Sequence, residues 1–191
     1  QAVRSGTGAI LVPGHMANWD HAGAWAAQRY GGITTVAERL KPEGLFDQFL
    51  AYRRTLGMEV FPIGHPDLVR DLARRVNEGR IVALLGDRDI SRNGIEVSFF
   101  GQPAKMPAGP AILSLMTDAP LYPVSMWFDG DRVDGHIYER VVAPTGVDRS
   151  EQIRQMTQQV ADCYEDGIRK RPTSWHMLQK VWLADLTPRN Q

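Results

Sequence analysis

The sequence predicts an α/β fold, a mostly parallel central sheet flanked by helices. Short aliphatic or β-branched runs, bounded by Gly or Pro, alternate along the chain with longer segments whose apolar residues recur at helical spacing. No repeat, low-complexity tract or linker interrupts this alternation across 191 residues, so a single domain over 1–191 is expected.

Each element has its own signal. Residues 8–13 are an apolar run, Ala9-Ile10-Leu11-Val12, closed by Pro13-Gly14, and predict a buried strand. Residues 18–30 predict a helix with Ala22, Trp25, Ala26 and Arg29 at helical spacing. Ile33-Thr34-Thr35-Val36 is β-branched and predicts a strand. Leu45, Phe46, Phe49, Leu50 and Leu56 mark a second helical face, and residues 58–63 a strand. Residues 66–77 open with Pro66 and carry the stripe Val69, Leu72, Ala73 and Val76, which predicts a helix. Ile81-Val82-Ala83-Leu84-Leu85 is the clearest buried strand. Residues 97–100 predict a short strand, 107–117 a helix, and 121–128 and 132–142 strands. Ile153, Met156, Val160, Tyr164 and Ile168 form one stripe of a long helix over 150–169, and a last helix is expected over 174–183.

Composition excludes several functions. Lys and Arg number 22, as do Asp and Glu, so the formal net charge is zero and a dedicated nucleic-acid binder is not expected. The single cysteine, Cys163, forms no internal disulfide and falls on the apolar side of its predicted helix, which predicts a core residue. No apolar stretch reaches membrane-spanning length, and no signal sequence opens the chain. The chain starts without Met and enters a strand almost at once, so an N-terminal part is expected to be missing.

In sheets of this class, sites form in the loops beyond the carboxyl ends of strands. His15-Met16-Ala17-Asn18-Trp19-Asp20 lies in such a loop, after the first strand. A carboxylate accepting a hydrogen bond from one imidazole nitrogen leaves the other basic toward a hydroxyl. Residues five apart share no face of a straight helix, so His15 is expected in the loop and Asp20 in the first helical turn. With five histidines and 22 acids in the chain, one such pair arises readily by chance, and the spacing alone identifies nothing.

Its company does more. Gly86-Asp87-Arg88-Asp89, Val97-Ser98-Phe99-Phe100-Gly101, Pro107-Ala108-Gly109-Pro110-Ala111 and Ala119-Pro120-Leu121-Tyr122-Pro123 follow in order. With them the chain resembles the lysophospholipid acyltransferase superfamily and its H-x4-D/E motif, in the branch of lipid A biosynthesis acyltransferases. Asp at the acidic position and Trp175-His176-Met177-Leu178-Gln179 make it most similar to the actinobacterial phosphatidylinositol mannoside acyltransferases. Family members carry a further N-terminal segment, in line with the expectation that one precedes residue 1 here.

The resemblance implies an acyltransferase-like fold and transfer of a fatty acyl group, palmitate, from acyl-CoA to a mannose hydroxyl of a membrane glycolipid. Acyl carrier protein is the alternative donor. It implies His15 as general base, Asp20 orienting it, and no cofactor or metal beyond the acyl-CoA substrate. An acidic residue of the Asp87–Asp89 region also matters near the histidine, and the choice between Asp87 and Asp89 stays open. Asp87, Arg88 and Asp89 are expected to recognise the acceptor, and Arg53 and Arg54 a phosphate of donor or acceptor; Asn18 is a further binding candidate. Backbone N–H groups at the helix start after Asn18, or a nearby Arg, are candidates to hold the oxyanion. Trp19, Trp25, Met16, Leu113 and Met116 are candidate lining for the acyl groove. The expected location is peripheral, on the cytoplasmic face of the plasma membrane. Three rivals remain: a thioesterase using the same His-Asp pair, a non-catalytic lipid- or sugar-binding module, and a metal site of His15, Asp20 and His21, which matches no recognised ligand motif.

Overall fold

The computed structural model describes residues 6–89 and 93–186. Six strands form one sheet: β1 (Ala9–Pro13), β2 (Ile33–Ala37), β3 (Met58–Pro62), β4 (Ile81–Ala83), β7 (Leu121–Asp129) and β8 (Arg132–Ile137), in the order β3-β2-β4-β1-β7-β8. All are parallel to their neighbours except β8, which returns antiparallel along β7. The α/β expectation with a mostly parallel sheet holds.

The two-residue side-chain period of the strands divides the apolar residues between two cores. Ile10 and Val12 of β1 and Val82 of β4 join one core with Leu72 and Val76 of α3 (Leu68–Asn77), Leu113 of α4 (Gly109–Thr117) and Met156, Val160 and Tyr164 of α5 (Arg149–Lys170). Leu11, Ile81 and Ala83 face the other side, against Ala27 of α1 (Trp19–Tyr30) and Phe46 of α2 (Glu43–Thr55). Strands buried on both faces read as continuous apolar runs, which is why they were visible in the sequence.

Three predicted elements differ. The expected strand at 97–100 is half of a hairpin, β5 (Ile95–Phe99) and β6 (Gln102–Met106), joined at Phe100-Gly101. Both turn residues have positive φ, 52° and 73°, as a two-residue hairpin turn of the primed type requires. Pro103 masks β6 in the sequence, because proline inside a strand weakens the prediction. The expected helix over 174–183 is not formed. A 3-10 turn (Pro172–Ser174) leads into a strap that makes isolated bridges Met16↔Trp175 and Ala104↔Trp182 before the short α6 (Leu183–Leu186). Its backbone groups pair with distant chain rather than with one another, which periodicity cannot reveal. The strand expected over 132–142 ends at Ile137, and its side chains are almost all exposed.

The long helix over α5 meets its expectation. Asp148 caps it by accepting from Glu151 N–H at 2.8 Å. Its buried Tyr164 reaches under the sheet, donating to the carbonyls of Val12 and Pro13 at 3.0 and 3.1 Å. This braces the end of β1 from below, a hydroxyl anchor worth about 1 kcal/mol. Burial pushes the Tyr164 phenol well above its usual pKa, so it remains a donor.

Candidate active site

His15 follows β1 and Asp87 follows β4, and these two strands are neighbours. Their parallel register pairs Ala9 with Ile81, Ile10 with Val82 and Leu11 with Ala83. Gly86 N–H donates to the Pro13 carbonyl at 3.0 Å, so the two chains stay together beyond the last ladder pair. His15 and Asp87 therefore emerge side by side at the carboxyl edge of the sheet. The His15 Nδ1 lies 2.6 Å from Asp87 Oδ1, and the His15 backbone N–H donates to Asp87 Oδ2 at 2.8 Å.

Asp87 is fully buried, while a fifth of the His15 side chain is open to solvent. A carboxylate on one side of an imidazole assigns the ring proton to Nδ1 and leaves the Nε2 lone pair free. The ring is also steadied from its edge by Trp19, with centroids 5.3 Å apart at 72°. Asp87 Oδ2 accepts a further hydrogen bond from Trp175 Nε1 at 2.9 Å. The arrangement is an imidazole with Nε2 left free, partly open to solvent past the strand ends and backed by a buried acid whose two oxygens both have donors.

This corrects the role expected of Asp20. Asp20 sits in the first turn of α1, where the motif spacing placed it, but its carboxylate pairs with Arg53 at 2.6 Å and not with His15. Arg53 is buried in the last turn of α2, stacks on Phe49 at 4.0 Å, and has a buried Nε without a hydrogen-bond partner. The pair joins α1 to α2 and so fixes the helix that follows His15. Asp20→Asn is expected to cost stability, because it leaves a buried guanidinium without its anion. The loss should be about 1–3 kcal/mol, below that of a fully buried pair because a third of Asp20 is open. Thermal denaturation should show a melting point several degrees lower. An unchanged melting point with abolished turnover would instead return Asp20 to a direct chemical role.

The remaining expected site residues separate. Asn18 is the N-cap of α1, accepting from His21 N–H at 2.8 Å. His21 itself is exposed on the helix, and with Asp20 on Arg53 and His15 on Asp87 the metal reading has no assembled ligand set. Arg54 is exposed while its neighbour Arg53 is buried. Arg88 lies 3.8 Å from Glu38, a loose surface pair. Asp89 accepts from Gly94 N–H at 2.7 Å across its loop. Of the acids at 87 and 89, the geometry selects Asp87 as the partner of His15.

Beneath α1 lies a cavity of about 100 Å³ against the sheet. Leu11, Ile33, Ala83 and Met126 form its floor, with Trp19, Asp20, Gly23 and Arg53 on the helix side. Of the residues expected to line an acyl groove, Trp19 lines this cavity. Met16 and Leu113 belong to the opposite core, and Trp25 and Met116 are exposed. Cys163 is partly buried, and burial with Asp162 and Asp166 nearby pushes its thiol up to about 11, which suits no nucleophile at neutral pH.

Sequence reasoning missed Trp175. Its motif was visible, but the segment was expected to be helical, which hid its contact with Asp87 eighty-eight residues earlier.

Comparison with known proteins adds an independent line. The family described as bacterial lipid A biosynthesis acyltransferase matches residues 1–184. A protein of Mycolicibacterium smegmatis named phosphatidylinositol mannoside acyltransferase is 43% identical over 188 residues, 97% of this chain and 60% of its own length. A protein of the same name from Mycobacterium tuberculosis strain H37Rv is 43% identical over 188 residues, 97% of this chain and 58% of its own length. The chain thus spans about three fifths of the curated relatives it matches.

Proposed function

Because this chain belongs to the bacterial lipid A biosynthesis acyltransferase family, we propose that it transfers a fatty acyl group from acyl-CoA to a sugar hydroxyl of a membrane glycolipid. The mycobacterial relatives' name points to a mannose of phosphatidylinositol mannoside as acceptor, and palmitate is the acyl group we assign. The observation that carries the reading is the His15–Asp87 pair at the sheet's carboxyl edge, one residue type from each of two neighbouring strands.

His15 Nε2 accepts the proton of the acceptor hydroxyl as its oxygen attacks the thioester carbonyl carbon. Asp87 keeps the other ring proton on Nδ1 and stabilises the imidazolium. The tetrahedral oxyanion needs donors in place beforehand. Backbone N–H groups in the first turn of α1 are the candidates, since the Asn18 side chain occupies only that of His21. Collapse breaks the carbon–sulfur bond, and the imidazolium returns its proton to the leaving thiolate. No acyl-enzyme is needed.

The cavity beneath α1 takes the carbonyl-proximal methylenes of the acyl chain, and it begins beside Trp19, the ring that touches His15. Gly23 offers a test. A Cβ there would meet the Met58 methyl at 3.0 Å, and a longer side chain would fill the space. Gly23→Leu is expected to reduce palmitoyl transfer by at least about tenfold, the value of roughly two unburied methylenes. Acetyl transfer, with no methylenes to place there, should be little affected. Equal losses for both chain lengths, measured as kcat/KM, would remove the acyl chain from this cavity.

No helix among the described residues is long and apolar enough to cross a membrane. We assign a peripheral position on the cytoplasmic membrane face, through the outer faces of α1 and α2. Trp25, Tyr30, Leu45 and Tyr52 are exposed there, beside Arg29 and Arg54. The deciding experiment supplies palmitoyl-CoA with and without phosphatidylinositol mannoside and follows both the acylated lipid and free palmitate. Acceptor-dependent acylated product is expected. Acceptor-independent hydrolysis as the main reaction would make the protein a thioesterase.

A further inference from the structure

We infer that Trp175 is a positioning residue of this site, acting through Asp87; the inference rests on the His15–Asp87 reading above. Asp87 is a buried acid whose two oxygens have different tasks. Oδ1 faces the imidazole, while Oδ2 is held by two donors, the His15 backbone N–H and the Trp175 indole N–H. With only one donor on Oδ2, the carboxylate can pivot about its Cβ–Cγ bond and lose the geometry that pins His15 Nδ1. The second donor, coming from a distant part of the chain, removes that freedom.

A buried or half-buried tryptophan commonly finds some acceptor for its N–H. Two features separate Trp175 from that ordinary case. First, the strap grips both members of the pair. Its backbone holds the histidine loop: Ala17 N–H donates to the Ser174 carbonyl at 2.8 Å, His176 N–H donates to the His15 carbonyl at 2.8 Å, and Met16 bridges Trp175. Its side chain holds the acid. Ala17 is kept at a φ of 46°, a left-handed conformation unfavourable for a non-glycine residue that persists only where the surroundings impose it.

Second, the indole has little freedom to turn. It stands edge-on to Phe99 at 5.8 Å and to Trp182 at 6.3 Å, and Trp182 is itself tied by its indole N–H to the Phe99 carbonyl at 3.0 Å. Three aromatic rings thus aim one N–H at one carboxylate oxygen. The hairpin β5–β6 and the C-terminal strap, which lie outside the main sheet, acquire a task in this way: they carry the clamp on the acid.

The test removes the N–H and keeps the ring. Trp175→Phe, and replacement of Trp175 by 3-benzothienylalanine, an isostere with sulfur in place of the N–H, are compared with the wild type. Both are expected to lower kcat for palmitoyl transfer by about 10–100-fold, the scale of a misaligned catalytic group. KM for palmitoyl-CoA and for the glycolipid should be unchanged. Full activity in the benzothienyl variant, or a loss expressed only in KM, would overturn the inference and leave Trp175 a packing residue. A second readout does not depend on turnover: the proton NMR resonance of His15 Nδ1–H. It is expected to shift and broaden in both variants. If the wild-type protein transfers no acyl group, the proposed function fails, yet this resonance still decides the role of Trp175. An unaltered signal would refute it.

Discussion

Asp87→Asn is expected to lower acyl transfer by about four orders of magnitude, the scale known for the same replacement behind a catalytic histidine. The amide is the same size as the acid but has a donor at one end. Asp87 Oδ2 already meets two N–H donors, so the amide oxygen takes that place and its NH2 faces His15 Nδ1. The imidazole must then accept at Nδ1 and carry its proton on Nε2, where the base is needed. The fold should survive, because volume and most hydrogen bonds are kept. Single-turnover assays beside circular dichroism check both halves of the expectation. Retained transfer in a folded Asp87→Asn protein would detach the acid from the chemistry.

His15→Ala should abolish base catalysis, for a loss at least as large as that of Asp87→Asn, about 10,000-fold in kcat or roughly 5 kcal/mol of barrier. Substrate binding should change little, since the ring is small and partly open. The stability cost is different in kind: Asp87 Oδ1 loses its partner while buried. A small drop in melting temperature is therefore expected with the alanine variant, and less with His15→Gln, whose side-chain amide can donate to Asp87. Transfer at wild-type rate by either variant would remove His15 from the chemistry.

Much of the fold could be read in advance because buried parallel strands and amphipathic helices write strong local patterns. The runs at 8–13 and 81–85, and the stripe from Ile153 to Ile168, depend only on which face is buried. The hairpin strand Gln102–Met106 and the strap after Ser174 were missed for different reasons. The strand pairs with its immediate neighbour β5 but carries Pro103, which weakens a strand pattern, whereas the strap has a helix-like apolar spacing and a backbone bridged to distant partners. The expected partner of His15 failed for the strap's reason. A spacing of five suggested Asp20, yet the first turn of α1 carries that carboxylate to the Arg53 guanidinium.

By itself the sequence determined the element types, the placement of His15 and the Gly86–Asp89 segment just past the ends of two buried strands, and the family those motifs mark. It could not say which strands are neighbours. Strand order places β4 beside β1, and the parallel register between them has a constant offset of 72 residues. Carried past the last pair, that offset sets Asp87 opposite His15, which is also their separation in the chain. Residue 89, two positions further, has left the ladder and turns into its own loop. The choice among Asp20, Asp87 and Asp89 was thus made by long-range hydrogen bonding between strands, a non-local contact on which local spacing is silent.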